Sequence, residues 1–142
     1  MPVRNSKSVW MGKLKQGRGS IALGSGNFEG DYSFASRFEQ GTGTNPEELV
    51  AAAHAGCFSM ALAHELEQAG FDSDKIDTDC AISLGKADVG FKIAKIELRT
   101  RAKVPGLDEK TFLRLAESAK VNCPLSQALR SVEIELEAEL DT

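Results

Sequence analysis

The sequence predicts an α+β domain in which an antiparallel sheet wraps one central, unusually apolar helix. Three observations predict it. From Asn45 to Gly70 runs one long helical stretch that is apolar on nearly every side, as a buried helix is. On either side of it, short segments alternate apolar and polar residues, as half-buried strands do. The element order reads β-β-β-α-β-β-α-α-β, which is not the regular alternation of a parallel α/β sheet. At 142 residues the chain is read as a single domain spanning residues 1–142.

Residues 7 to 23 form two short strands joined near Gln16-Gly17, and Gly24-Ser25-Gly26-Asn27 is a turn. DYSFASRF, residues 31 to 38, makes a third strand with Tyr32 and Phe34 on one side and Arg37 near its end. GTGTN, residues 41 to 45, is a flexible approach to the central helix. Asn45 caps that helix, Pro46 fits its first turn, and Glu48 completes a capping box. Val50, Ala53, His54, Cys57, Ala61 and His64 share one side; Leu49, Ala52, Gly56, Ala63 and Leu66 line the other. The many alanines and Gly56 imply that another backbone approaches closely. Gly70 ends the helix, with Phe71 after it.

IDTDCAISL, residues 76 to 84, alternates with Ile76, Cys80, Ile82 and Leu84 on one face. A turn at Lys86 to Gly90 leads into the strand FKIAKIELRTRAKV. There the apolar parity changes from Phe91 and Ile93 to Ala94, Ile96 and Leu98, which requires a bulge near Ile93-Ala94. After Pro105-Gly106, Leu107 to Lys120 reads as a helix with Phe112, Leu115 and Ala119 on one stripe and Asp108-Glu109 in its first turn. Asn122-Cys123-Pro124 opens a short third helix, LSQALR. SVEIELEAEL closes the chain as a half-buried antiparallel strand, with Val132, Ile134, Leu136, Ala138 and Leu140 inward and four glutamates outward.

The net charge of −4, with no long run of either sign, offers no basic face for nucleic acid. No charge-free apolar run reaches the roughly 18 to 20 residues of a membrane span. MPVRNSKSVW has no apolar signal core, so the expected location is the cytoplasm. In that reducing compartment, three cysteines read as free or catalytic thiols. His54 and His64 lie roughly 15 Å apart along one helix and cannot share an ion, so no metal is expected. GSG at 24 to 26 and GTGTNP lack the strand-loop-helix pattern of a nucleotide site, so no cofactor is expected.

Cys123 has the most legible local chemistry. A thiol at a helix start, before Pro124 and beside Asn122, meets free backbone N–H groups and the positive end of the helix dipole. The other reading is a buried cysteine that ends a loop. Cys57, in mid-helix, reads alone as a packing residue. Its activation needs a cation, for which Arg37 is the candidate. Cys80 reads as a core residue on a strand.

GTNPEELVAAAHAGCFSMAL, with Arg37-Phe38-Glu39 ahead of it and NCPLSQAL after it, resembles the OsmC family of osmotically inducible thiol peroxidases. The sister group of that family is the organic hydroperoxide resistance (Ohr) proteins. The resemblance spans essentially the whole chain and is nearer to OsmC proper. It implies an OsmC-like fold built as an intertwined homodimer, with two active sites at the subunit interface. Position by position, Cys57 resembles the peroxidatic cysteine and Cys123 the resolving one. Arg37 matches the arginine that stabilises the thiolate, and Glu47 the glutamate that pairs with it. Glu47 and Cys57 are roughly 15 Å apart on a regular helix. They join one site only through a long arginine, a helix break, or a second subunit.

The implied activity is reduction of organic hydroperoxides, and less efficiently hydrogen peroxide. It proceeds through a Cys57 sulfenic acid and a Cys57-Cys123 disulfide that an external dithiol, of lipoyl or thioredoxin type, reduces. Phe58, Met60 and Phe38 are candidate neighbours favouring organic substrates, with core packing the alternative for Phe58 and Met60. Two other functions compete: a non-catalytic dimeric redox sensor, and a small apolar-ligand binding protein in which Cys57 only packs.

Overall fold

A computed structural model describes residues 1–141. The chain divides into two compact units, Met1–Leu49 and the part from Val50 onward.

The N-terminal unit is an antiparallel three-stranded sheet, β1 (Ser6–Met11), β2 (Arg18–Leu23) and β3 (Glu29–Tyr32), in that order. The expected third strand stops at Tyr32. Phe34–Phe38 is instead a one-turn helix, α1. Ser33 Oγ accepts from the Ser36 amide at 3.1 Å, and Ser36 Oγ accepts from the Ser33 amide at 2.8 Å. This reciprocal cap satisfies orphan donors that a strand would have left to a neighbour.

The glycine-rich approach is also tied down. The Thr44 amide donates to Asp31 O at 2.8 Å, Thr44 is buried, and Tyr32 and Thr44 form a parallel bridge. Gly43 has φ +113°, and a Cβ there would sit 2.6 Å from Asp31 O. Only glycine fits both demands.

The helix α2 (Pro46–Gln68) begins where Asn45 Oδ1 accepts from the Glu48 amide at 2.8 Å. The expected return bond differs: Glu48 Oε2 takes the Thr44 hydroxyl, at 2.8 Å. Gly70, at φ +87°, closes the other end. The Phe71 amide donates to Leu66 O and the Gly70 amide to Glu67 O, a Schellman arrangement.

Beyond α2, the C-terminal unit holds β4 (Lys75–Lys86), β5 (Phe91–Lys103), α3 (Glu109–Asn122), α4 (Pro124–Ala128) and β6 (Glu133–Asp141). Its sheet has the order β4-β5-β6. The expected bulge is present: Ser83 pairs with Lys95 and Leu84 with Ile93, leaving Ala94 over. The closing strand, expected to be antiparallel, pairs parallel to β5. The α3–α4 crossover returns the chain to the end of the sheet where β5 begins, as a parallel connection requires. The sheet is therefore mixed, and the two sheets replace the single antiparallel one expected. Asp108 caps α3 from outside its first turn, accepting from the Thr111 amide at 2.9 Å.

The core joins Phe58, Leu62 and Leu66 of α2 to Leu98, Ala102 and Val104, and to Phe112, Leu115, Ala116 and Ala119 of α3. Each fully buried large side chain contributes about 1.5–3 kcal/mol. Burial of α2 differs from expectation. Only the line His54, Phe58, Leu62 and Leu66 is buried, cutting across both expected sides. A Cβ on Gly56 would meet nothing within 4 Å, so among the described residues of its own unit no backbone approaches it. By length and composition α2 is also apolar enough to cross a membrane, although its run free of Asp, Glu, Lys and Arg, Leu49 to His64, stays shorter than a span. Of its most apolar stretch, 22% is buried within the single chain, along the line packed against β5 and α3.

Candidate active site

In the N-terminal unit, α1 presents Arg37 in its last turn and α2 presents Glu47 in its first. Arg37 Nε donates to Glu47 Oε1 at 2.8 Å, and Arg37 Nη2 to Glu47 Oε2 at 2.9 Å. Both hydrogen bonds of the guanidinium fork are therefore made, and the arginine has one orientation. Two further bonds hold the helix ends in register: Asn45 Nδ2 donates to Ser36 O at 3.1 Å, and Ser36 Oγ to Thr44 O at 2.7 Å. The side chain of Glu47 is 13% exposed and that of Arg37 is 36% exposed, so one edge of the guanidinium stays open. The hydrogen bond to Glu47 raises the Arg37 pKa further, against a smaller opposing effect of burial.

Beside the arginine lies a cavity of about 250 Å³, lined by Trp10, Leu14, Tyr32, Phe34, Arg37 and Phe38 among others. Trp10 and Tyr32 pack tilted at 5.4 Å, and Phe34 and Phe38 at 4.9 Å. Of the three apolar candidates, Phe38 lines this cavity. Phe58 is fully buried in the core instead, and Met60 is 77% exposed.

In the C-terminal unit, Cys57 and Cys123 come together. Cys57 is half-buried in mid-α2, and Cys123 is fully buried between α3 and α4. Burial raises the Cys57 pKa most, the Leu125 backbone amide pulls it back down, and hydrogen bonding with the Cys123 thiol raises it again. The expectation that a mid-helix thiol finds no free N–H is thus incomplete. Its own helix offers none, but the first turn of α4 does.

Cys123 ends α3 and starts α4. Its amide donates to Ala119 O at 3.0 Å, and its Sγ accepts from the Ser126 amide at 3.4 Å. Pro124, lacking an N–H, costs nothing at the first helical position. Ser126 Oγ lies 3.3 Å from Cys123 Sγ and 2.8 Å from His54 Nε2. His54 is fully buried, and its Nδ1 has no partner among the described residues. Sequence reasoning weighed this histidine only as a metal ligand. Its partner is 72 residues away, and no local spacing announces the pair.

Cys80 sits half-buried in the inward row of β4, against the core, where burial pushes its thiol up to about 11. No cluster of three or more histidine, cysteine or acidic residues fit for a metal occurs among the described residues.

Comparison with known proteins agrees with this architecture. Residues 39–137 match the family model described as OsmC-like protein. The chain is 46% identical over 138 residues to the peroxiredoxin OsmC of Escherichia coli, covering 96% of each. It is 34% identical over 122 residues to the organic hydroperoxide resistance protein OhrB of Bacillus subtilis, covering 84% of this chain and 88% of that one. The crystal structure of the latter superposes with a TM-score of 0.68, at 29% identity, over 96% of this chain and 98% of that chain. An OsmC-like protein from Vibrio cholerae, at 16% identity, shares the fold with a TM-score of 0.77 over 97% of this chain and 99% of that chain.

Proposed function

Because the chain belongs to the OsmC family, we propose that it is a cysteine-based, thiol-dependent peroxidase acting on organic hydroperoxides. The observation that carries this reading is the pair of thiols, Cys57 and Cys123, set against the first turn of α4. One thiol is half-buried and open to a substrate; the other is fully buried and reaches only its neighbours.

Cys57 thiolate attacks the distal peroxide oxygen, the O–O bond breaks, and the alkoxide leaves as alcohol after taking a proton. Cys57 becomes a sulfenic acid. Cys123 then attacks its sulfur, water departs, and the Cys57-Cys123 disulfide forms. An external dithiol, of lipoyl or thioredoxin type, restores both thiols.

Burial holds Cys57 on the thiol side, so this step needs a cation. We assign that role to Arg37, with Glu47 fixing its fork before substrate arrives. The apolar cavity beside Arg37 takes the organic part of the substrate. α2 runs unbroken from Pro46 to Gln68, which removes a helix break as a way of joining Glu47 to Cys57.

A homodimer accounts for the rest of α2. Ala52, Ala53, Gly56, Met60 and Ala63 are exposed in the single chain, and the space around Gly56 is open. A second copy packing there would bury that face and supply the close backbone that small residues admit. The two units work as one functional domain, and its place is the cytoplasm.

The reduced protein, assayed with cumene hydroperoxide and hydrogen peroxide and with dithiothreitol or dihydrolipoamide, tests the reading. Turnover that favours the organic peroxide and vanishes in Cys57→Ser is expected. One disulfide per chain without turnover would replace the enzyme by a redox sensor. Arg37→Ala is expected to lower the peroxide rate by roughly 10²–10³-fold, the cost of losing a preorganised charge stabiliser. Circular dichroism should be unchanged, and a wild-type rate would remove Arg37 from the mechanism.

A further inference from the structure

The cycle above uses Cys123 but not the buried pair that touches it. Ser126 meets Cys123 Sγ twice, through its amide at 3.4 Å and its hydroxyl oxygen at 3.3 Å. The same hydroxyl lies 2.8 Å from His54 Nε2. All three residues are buried. A polar chain of this kind costs free energy unless it is satisfied, and here it ends on an unpartnered atom, His54 Nδ1.

That unpartnered atom decides the direction of the chain. Burial lowers the His54 pKa, so the ring is neutral and carries one N–H. Placed on Nδ1, the hydrogen would be a buried donor with no acceptor, an arrangement native structures rarely contain. Placed on Nε2, it has Ser126 Oγ as its acceptor. The hydroxyl then receives at its oxygen and turns its own hydrogen toward the remaining neighbour, Cys123 Sγ.

We propose that His54 and Ser126 are positioning residues for the resolving thiol: His54 Nε2–H orients the Ser126 hydroxyl so that Cys123 Sγ receives two hydrogen bonds. Those donors face the sulfur whose electron pair attacks Cys57 in disulfide formation and hold it aimed as it gives up its proton. In that step the Cys123 S–H proton goes to the departing oxygen of the Cys57 sulfenic acid. The sulfur electron pair forms the S–S bond, the S–O bond breaks, and water is released. The same donors receive the charge when Cys123 leaves as a thiolate during reduction. The inference rests on the peroxidase reading for its biological setting, while the step itself is measured without peroxide.

The test uses 5,5′-dithiobis(2-nitrobenzoate) on the reduced Cys80→Ala protein, where two thiols remain. Cys57, the more open thiol, forms the mixed disulfide and releases one thionitrobenzoate. Cys123 then displaces the second. The ratio of the second rate to the first isolates Cys123. Ser126→Ala is expected to lower this ratio roughly tenfold, as loss of a hydrogen bond to a charged group does. Ser126→Thr, which keeps a hydroxyl, should retain most of it.

His54→Leu should behave as Ser126→Ala does, and His54→Gln, whose amide can still donate toward Ser126, should recover part of the ratio. An unchanged ratio in Ser126→Ala overturns the proposal. Equal loss in His54→Gln and His54→Leu would reduce His54 to a packing role. A protein with this ratio pattern but no peroxide turnover would sink the peroxidase reading and leave the positioning assignment standing.

Discussion

Cys57 and Cys80 are both half-buried cysteines in regular secondary structure of the same unit, and burial raises both thiols, yet different groups surround them. Cys80 lies in an inward row of β4 with Ile76, Ile82 and Leu84, and nothing offsets the cost of charging its sulfur. Burial also raises Cys57 and the Cys123 thiol raises it further, but the Leu125 amide pulls it back down. The difference teaches that neither exposure nor secondary structure marks a working thiol. What marks it is a second element whose free donors end at the sulfur.

The sharpest way to break the comparison is to exchange the roles. Cys57→Ser should abolish peroxide turnover, whereas Cys80→Ala should leave it within about twofold, consistent with a cost near 1 kcal/mol in stability only. Loss of turnover in both would mean that Cys80 belongs to the site. A smaller effect is expected in alkylation by iodoacetamide. With its thiol near 11, Cys80 holds about 10⁻³ thiolate at pH 8 and should react roughly 10²-fold slower than a free cysteine. Mass mapping of the labelled peptides reads both sites at once, and prompt labelling of Cys80 at pH 8 would contradict its burial.

The smallest effect is on stability against pH. A thiol whose folded pKa is raised binds its proton more tightly in the native state. Its contribution is therefore complete below the unfolded value of 9.0 and is lost as pH rises toward about 11. Urea melts of the wild type should lose slightly more stability across that window than melts of Cys80→Ala. Parallel curves would show that the sulfur carries no such linkage.

Much of this contrast was legible in the sequence, and the illegible part has definite causes. Alternation placed Cys80 inward, and the parity slip placed the bulge at Ala94, because a strand's side-chain period is fixed. The same alternation is blind to direction. The outward glutamates of β6 read identically in either orientation, and only the crossover makes it parallel to β5. At residues 31 to 38, the aromatic spacing of Tyr32 and Phe34 mimics a strand, and the reciprocal Ser33–Ser36 cap overrides it. The apolar character of α2 was plain, but composition does not say which chain covers a face.

The proposed site residues Cys57, Cys123, Arg37 and Glu47 come from motif resemblance. The structure pairs the two cysteines, and separately pairs Arg37 with Glu47. His54 and Ser126 were not legible, since their meeting depends on α4 packing against a helix far behind it in sequence.

The double role of Cys123 has a consequence for how the chain registers oxidation. One sulfur atom is both the proposed resolving group and the cap that receives the Ser126 amide at the start of α4. Any change in its bonding alters a helix end along with a redox state. Bonding to Cys57 re-aims the Cys123 sulfur, so protection of the Ser126 amide against hydrogen exchange should fall on oxidation and return on reduction. The chemical history of the thiol pair is in this way written into the backbone as well as into the sulfur.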